Sequence, residues 1–445
     1  MTSVPARLGT AIEALGQQPI LVTDKGFGCL AAGGPVTAAS LAADRPSLFG
    51  PDFTMPLAVL RESAVRHNIE QMAAYCTAAG VELAPHGKTT MAPALIARQL
   101  AAGAWAVSAA TIAQIQVYRA FGVPRVLLAN ELTDRAGIRW LAGELAADPG
   151  FECFAYVDSI AGVALLDEEL RAAGGTRARR PERPLPVLVE LGHAGGRTGC
   201  RSIGEALAVG QAVAASQSLR LAGAAGFEGG LGHDGTAAAL GAVTRFCRDL
   251  RTLGDLLAEA GPDPGGPWPG GHIVSAGGSA LFDLVVSELT AARPGRPAPT
   301  VVLRSGAYVT HDHGYYAALA PAGQGGRAGP PLTAALEVWA GVLSRPEPEL
   351  AMLGAGRRDV SFDQGMPVPL QVRAASGQMS PATGMSVSTL DDQHAYLSVP
   401  ASSDLAPGDL VGLGISHPCT TFDKWRVIAV ADDDYRVVDA IHTFF

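Results

Sequence analysis

The chain has 445 residues, 48% of them hydrophobic and 17% charged, so it can bury at least one large core, and we expect two domains. Its net charge of -9 and its scattered arginines argue against nucleic acid or an anionic membrane surface as a partner. The six cysteines form no CxxC pair and no apolar run reaches the length of a membrane span, so we expect a cytoplasmic protein with free thiols that acts on a small molecule.

The first part of the chain alternates between two hydrophobic patterns. Residues 1–54 hold one short helical pattern and loops, and we interpret them as an N-terminal arm. Eight apolar runs of strand length follow: Leu57–Leu60, Val81–Pro85, Ala104–Ala109, Arg125–Ala129, Phe151–Val157, Leu185–Leu191, Leu221–Phe227 and His272–Ser275. Segments with helical spacing separate them, and several open on an N-cap type residue such as Ser63, Thr111, Asp134, Ser159 or Ser202. Eight successive βα units predict a (β/α)8 barrel over residues 55–299.

The pattern changes after the barrel. From Thr300 onward, strand-like runs follow one another without helices between them, and the first of these runs is Thr300–Leu303. We therefore predict a second, mostly β domain over residues 300–445. The predicted fold class is α/β, a barrel followed by a C-terminal β domain.

Lys88 is the first candidate for chemistry. Of the 33 basic residues only three are lysines, and Lys88 follows a predicted strand in the segment HGKT. A guanidinium stays protonated, whereas a desolvated lysine amine can lose its proton and condense with an aldehyde. In a (β/α)8 barrel the active site lies at the C-terminal ends of the strands, where this lysine falls. The alternative is a solvated lysine in a βα turn.

Other strand ends carry polar or glycine-rich segments. His86 stands beside Lys88, and Arg197 lies among glycines in ELGHAGGRTG. The segment SAGGS contains Ser275, Gly277, Gly278 and Ser279 and opens a predicted helix, where free backbone N–H groups favour an anion. Together with a strand-end lysine, this loop predicts a ligand that is both an aldehyde and a phosphate, namely pyridoxal 5'-phosphate (PLP).

A second constellation lies near the C-terminus. His417 and Cys419 are separated by Pro418, which we expect to be extended, so that both side chains project from one face. Imidazole and thiolate are half of a zinc site. Substrate and water, or a ligand from elsewhere, would complete it; the alternative is a buried cysteine beside a satisfied histidine. Tyr308, at the junction of the two domains, is a candidate for contact with cofactor or substrate.

The motifs PHGKT, GRTG, SAGGS, SGAYV and HPC, in this order, resemble the fold-type III PLP enzymes of the alanine racemase-like group, within them the D-serine dehydratase and D-threonine aldolase family. The resemblance implies that Lys88 binds the PLP aldehyde and later acts as a base. It implies that Arg197 contacts the ring hydroxyl side, that Gly277, Gly278 and Ser279 cradle the phosphate, and that His417 and Cys419 hold a metal. It also implies a homodimer.

One departure from the family pattern concerns the pyridine nitrogen of PLP. Related enzymes place a tyrosine or arginine near this nitrogen, but the corresponding segment here contains Phe227 and Glu228. Phenylalanine cannot bond the nitrogen. Glu228 is therefore the candidate partner, and it would favour the protonated pyridinium.

The activity implied is metal-assisted dehydration of a D-3-hydroxy amino acid such as D-serine to a keto acid and ammonia. Retro-aldol cleavage to glycine and an aldehyde, as in a D-threonine aldolase, uses the same residues and is the first alternative. A non-catalytic PLP-carrier protein is the alternative from another class, but such proteins lack a C-terminal β domain.

Overall fold

The computed structural model of the protein describes residues 5–29, 35–173, 183–232, 234–260, 272–322 and 327–445. The helices are α1 (Ala6–Gly16), α2 (Ala38–Asp44), α3 (Glu62–Ala79), α4 (Pro93–Ala101), α5 (Ile112–Ala120), α6 (Arg135–Ala147), α7 (Ile160–Ala173), α8 (Ile203–Ala215), α9 (Ala237–Ala260), α10 (Phe282–Leu289), α11 (Tyr315–Leu319) and α12 (Cys419–Phe422). Short 3-10 helices lie at Gly87–Thr89 and Ala307–Val309.

The strands are β1 (Pro19–Ile20), β2 (Val36–Thr37), β3 (Leu57–Arg61), β4 (Glu82–Leu83), β5 (Val107–Ala109), β6 (Arg125–Glu131), β7 (Glu152–Val157), β8 (Leu185–Leu191), β9 (Leu219–Gly226), β10 (Ile273–Ala276) and β11 (Thr300–Leu303). The remaining strands are β12 (Leu336–Glu347), β13 (Leu350–Leu353), β14 (Val368–Arg373), β15 (Met379–Pro381), β16 (Ser386–Leu390), β17 (Ala395–Ser398), β18 (Leu410–Gly414), β19 (Val427–Ala431) and β20 (Val437–His442).

Strands β4 to β11 form the predicted barrel. From β5 to β11 each strand pairs in parallel with the next along the chain, and β11 pairs with β4. A parallel bridge between His86 and Ser108 joins β4 to β5 and closes the circle. The helices between these strands cover the outside, which confirms the (β/α)8 fold. The barrel therefore brings the C-terminal ends of all eight strands, and the side chains that follow them, to one mouth.

Two strand assignments made from the sequence are wrong. The run at Leu57–Arg61 is not a barrel strand, because it pairs with β12 and β19 in the C-terminal sheet. Thr300–Leu303, which we placed in the second domain, is instead the eighth barrel strand. Both runs are short, apolar and buried, so the pattern of each predicts a strand but does not indicate which sheet it joins.

Four of the five predicted helix starts agree with the structure, because an N-cap hydrogen bond joins residues that are close together in the chain. Four predicted N-cap side chains accept a backbone N–H three residues further on: Thr111, Asp134, Ser159 and Ser202. Ser63 does not cap α3. It lies within the first turn, and its hydroxyl donates to the Asp433 carboxylate at 2.7 Å, so this hydroxyl ties the barrel to the C-terminal domain.

The C-terminal domain is a mostly antiparallel sheet in which the long strand β12 pairs with β3, β13 and β18. The N-terminal arm packs on this sheet, where Phe27 and Leu48 share a buried cluster with Trp339. In the described parts of the chain, no helix has the length and apolar character needed to cross a membrane.

Candidate active site

Lys88 is held at the barrel mouth by a tight turn after β4. The turn is the 3-10 helix Gly87–Thr89, and it needs glycine at position 87, because a Cβ there would lie 2.5 Å from the Tyr118 hydroxyl. Burial lowers the pKa of the Lys88 amine; the nearby Cys419 acts in the opposite direction, and Arg197 and Arg304 lower the pKa further. The turn therefore presents an amine that releases its proton more readily than a surface lysine does.

One cavity at the barrel mouth joins most of the predicted residues. Its lining comprises residues from both domains: His86, Lys88, Thr89, Ala129, Tyr156, Glu190, Arg197, Phe227, Gly277, Gly278, Ser279, Arg304, Gly306, Ala307, Tyr316 and Cys419. The guanidinium of Arg197 lies 4.5 Å from the centre of the Phe227 ring. His86 is partly buried, and burial, followed by the charges of Lys88, Arg304 and Arg197, holds the pKa of its imidazole well below the usual value. His86 is therefore neutral in this cavity.

The glycine loop after β10 does not leave all its N–H groups free. Glu228 is fully buried, and its carboxylate accepts hydrogen bonds from the N–H of Gly277 at 3.1 Å and of Gly278 at 2.6 Å. Gly277 has a φ of +106°, a conformation that favours glycine. Glu228 thus fixes the loop, and it is not among the residues that line the cavity of Lys88. Its bond to the pyridine nitrogen stays a prediction.

Arg304 is a residue of the cavity lining that the sequence analysis missed. It follows β11, is buried, and donates one hydrogen bond to the Ser275 hydroxyl at 2.8 Å and another to the Gly226 carbonyl at 2.6 Å. Ser275 itself is not a lining residue, and it acts here by holding Arg304. The sequence does place Arg304 directly after a strand, at the start of the segment RSGAYV. We did not consider it because we assigned that strand, β11, to the second domain.

Tyr308, predicted to contact cofactor or substrate, lies elsewhere. Its side chain is buried in the main core, and its hydroxyl accepts a hydrogen bond from Gln99 at 3.0 Å. The 3-10 helix that contains Tyr308 turns this side chain away from the mouth. The tyrosine that lines the cavity is instead Tyr316. The carboxylate of Asp312 accepts hydrogen bonds from the N–H groups of Tyr316 and Ala317, and these bonds fix the start of α11.

The HPC segment brings His417 and Cys419 together, although not as an extended strand. Pro418 has φ -58° and ψ -41°, and α12 begins at Cys419, because a proline φ suits the start of a helix as well as an extended chain. Burial lowers the pKa of His417, but hydrogen bonds to Cys419 and Asp363 raise it to about 9. The Cys419 sulfur lies 3.5 Å from the Thr89 hydroxyl, beside Lys88.

Among the residues that the structure describes, no further His, Cys, Asp or Glu places a ligand atom close to both His417 and Cys419. His417 lines a neighbouring cavity that shares Phe227, Gly278, Ser279 and Tyr316 with the cavity of Lys88 and Cys419. The pair therefore lies where the two cavities meet. Such a pair can hold a metal that keeps positions open for a substrate, as catalytic zinc sites do.

Comparison with known proteins gives the family. A model of the alanine racemase N-terminal domain matches residues 60–296, more than half of the chain, and a model described as a putative serine dehydratase domain matches residues 335–431. The chain belongs to the fold-type III PLP-dependent enzymes. The match to both models agrees with the D-serine dehydratase and D-threonine aldolase group, which the motifs predicted.

Individual relatives of this fold-type III enzyme cover most of its length. A D-threonine aldolase from Arthrobacter sp. is 25% identical over 381 residues, which are 85% of this chain and 89% of that protein. The crystal structure of D-threonine aldolase from Filomicrobium marinum has a TM-score of 0.71 at 26% identity, and the match covers 88% of this chain and 95% of that one. The D-threo-3-hydroxyaspartate dehydratase from Delftia sp. HT23 shares the fold, with a TM-score of 0.67, 22% identity and coverage of 88% and 97%.

The residues at the mouth of the fold-type III enzyme fit PLP. Lys88 would provide the amine for its aldehyde. Ser279 and the backbone of Gly306 would hold the phosphate, while the N–H of Ala307 already donates to the Ser279 hydroxyl at 3.0 Å. The backbone is close-packed here, because a Cβ on Gly306 would lie 2.5 Å from the His86 carbonyl oxygen. The fixed charge of Arg304 suits an anionic ligand. Gly277 and Gly278 contribute the shape of this loop, while Glu228 keeps their N–H groups.

Three carboxylates at the mouth of the enzyme were also missed. Glu131 is the last residue of β6, Asp158 follows β7 and Glu190 lies near the end of β8. Each offers an oxygen within 4.8 Å of the others. Burial and the charge of Glu190 raise the pKa of Glu131 to about 9. In the sequence, each acid lies at or near the end of an apolar run. The sequence does not show, however, that the three carboxylates lie close together. Glu190 also lines the cavity of Lys88.

Glu131 predicts a pH dependence of stability. Because its pKa is raised in the folded state, the folded enzyme keeps a proton that the unfolded chain releases, so stability falls as pH rises from about 5 to about 9. Glu131→Gln should flatten the decline of Tm over this range, as measured by thermal unfolding. Glu13→Gln, at an exposed position of α1, is the control. An unchanged slope in Glu131→Gln would contradict the assignment.

Proposed function

We propose that this fold-type III enzyme is a PLP-dependent, metal-assisted dehydratase of a D-3-hydroxy amino acid of the D-serine type, and that it releases a keto acid and ammonia. The observation that carries the proposal is that Lys88 and Cys419 line one cavity, with His417 beside Cys419. A base and a candidate metal pair thus face the same substrate.

Each residue has a role in this reaction. When bound, PLP supplies an electron sink for the substrate's Cα. Lys88, whose pKa burial lowers, takes the Cα proton. His417 and Cys419 would hold a divalent metal, best zinc for this ligand pair, that polarises the 3-hydroxyl. The Cβ–O bond breaks with its electrons leaving on oxygen, and the resulting enamine is hydrolysed to the keto acid and ammonia.

Two comparisons support dehydration. The putative serine dehydratase domain model covers residues 335–431, the part of the chain that contains His417 and Cys419. Solved variants of D-threo-3-hydroxyaspartate dehydratase replace a histidine and a cysteine two positions apart, and the cysteine variant is in a metal-free form. The spacing is that of His417 and Cys419.

The second candidate function is retro-aldol cleavage to glycine and an aldehyde. Its support is that the relatives at 25% and 26% identity are named D-threonine aldolases. A PLP-carrier role finds no support in the site, because the C-terminal domain contributes Cys419 to the cavity of Lys88, and a carrier lacks that domain.

The test is to supply the enzyme, loaded with PLP and zinc, with D-serine, D-threonine and D-3-hydroxyaspartate. Dehydration yields keto acid and ammonia, whereas cleavage yields glycine and an aldehyde. The proposal expects keto acid and ammonia in equal amounts. Glycine and aldehyde as the main products would replace it with the aldolase function, and no turnover of any of the three would reject both.

We also propose that the enzyme is a homodimer in the cytoplasm. The support is an exposed apolar strip beside His417, in which Phe362 is 43%, Met366 38% and Val368 38% exposed. A second copy is the occupant that the family resemblance suggests. Replacing Phe362 and Met366 with serine should shift the sedimentation of the enzyme from dimer towards monomer. A monomeric wild-type enzyme would contradict the proposal.

A further inference from the structure

Asp363 contacts the imidazole ring of His417. Its Oδ2 lies 2.6 Å from His417 Nδ1, and its Oδ1 accepts a hydrogen bond from the Thr420 hydroxyl at 2.6 Å. Both carboxylate oxygens are therefore engaged within one cluster of three residues. Asp363 did not enter the sequence analysis, because it lies 54 positions before His417 in the chain.

The loop that carries Asp363 is tied to the HPC segment by further hydrogen bonds. The backbone N–H of His417 donates to the Ser361 hydroxyl at 3.1 Å, and the N–H of Ser361 donates to the Thr421 hydroxyl at 3.0 Å. The Ser416 hydroxyl donates to the Gly365 carbonyl at 2.5 Å. The two segments thus form a fixed unit, and the Asp363 carboxylate keeps its place against the imidazole.

A hydrogen bond at Nδ1 determines what the other ring nitrogen can do. When Nδ1 carries the proton and donates it to a carboxylate, Nε2 keeps its lone pair and is the atom available to a metal. Asp363 does not itself complete a group of three close ligand atoms with His417 and Cys419 among the described residues. Its position therefore fits a residue that orients a ligand rather than a third ligand.

We propose that Asp363 is a positioning residue for the metal ligand His417, accepting the Nδ1 hydrogen bond so that Nε2 is presented to the metal, with Thr420 fixing the carboxylate. This inference rests on the proposed metal pair. It extends that pair to four residues: His417 and Cys419 bind the metal, and Asp363 and Thr420 hold the His417 imidazole in place.

The test measures zinc affinity of the metal-free, PLP-loaded enzyme by titration against a competing chelator. Loss of an outer-shell partner typically weakens metal binding about 10–100-fold, which is the decrease expected for Asp363→Ala. Asp363→Asn keeps an oxygen acceptor and should recover most of the affinity. Asp423→Ala is the matched control, because its side chain is 42% exposed, as is that of Asp363, and pairs only with Lys424.

The outcomes separate this inference from the proposed function. If the wild type binds no zinc, or His417→Ala binds it equally well, the metal pair itself is wrong. If His417→Ala loses zinc while Asp363→Ala binds as tightly as Asp423→Ala, the positioning role is overturned. Cobalt substitution adds a spectroscopic readout, since the absorption of a thiolate-bound cobalt should change in Asp363→Ala. Asp363→Leu, which keeps bulk without an acceptor, repeats the test if the alanine variant does not fold.

Discussion

Lys88→Ala is expected to remove both the visible absorption of lysine-bound PLP and turnover, the latter by at least about 10³-fold, because one amine serves as the attachment point and as the base. The other two lysines form ion pairs away from the cavity of Lys88. Lys25 donates to the buried Asp359 carboxylate at 3.0 Å and lies 4.2 Å from the Trp425 ring centre, and Lys424 pairs with Asp423 on the surface. Absorption spectra and steady-state assays of the purified variant are the measurements.

Lys25→Ala is the control for this prediction. It removes a contact between the N-terminal arm and the C-terminal domain, so it should lower the Tm but leave the visible band in place. Borohydride reduction followed by peptide mapping gives an independent readout, and we expect the modified peptide to contain Lys88. PLP found on Lys25 or Lys424 would show that the assignment is wrong.

Removal of the metal, by chelation or by His417→Ala, should separate two steps of the reaction. Lewis-acid help with a poor leaving group is worth several kcal/mol, so loss of the 3-hydroxyl should slow by about 10²-fold or more. Exchange of the Cα proton with solvent deuterium should persist, because Lys88 and the PLP-binding residues are untouched. Product assays and NMR of the recovered substrate measure the two steps separately.

A structural zinc site predicts the opposite pattern. Its binding energy would contribute to folding, so chelation would lower the Tm and release PLP. The open arrangement of His417 and Cys419, with no third ligand atom close to both of them in the described chain, favours the catalytic case. A chelated enzyme that turns over D-serine at the untreated rate would contradict it.

The outcome at Glu228 and Arg304 shows why some site residues could not be assigned from the sequence. Glu228 was predicted at the pyridine nitrogen from its place after a strand, yet it binds the N–H groups of Gly277 and Gly278, which are 49 and 50 positions away. Arg304 was set aside because β11 was assigned to the wrong sheet. In both cases the local pattern of the segment was interpreted correctly, but that pattern does not show which distant residues the side chain contacts.

Features that depend on residues close together in the chain could be predicted from the sequence. The alternation of short apolar runs with helical patterns predicts a barrel, because each βα unit buries its own apolar face. The scarcity of lysine and the position of Lys88 after a strand predict the amine, and the spacing of His417 and Cys419 predicts the candidate metal pair, because neighbours in the chain are neighbours in space.

Contacts between residues far apart in the chain could be seen only in the folded structure. It placed β3 in the C-terminal sheet and β11 in the barrel, brought Glu131 beside Glu190, and set Asp363 against His417. The physical reason is that the pairing of strands and the contacts of side chains far apart in the chain depend on how all the elements pack. Hydrophobic spacing records which face of an element is buried, but it does not record what that face is buried against.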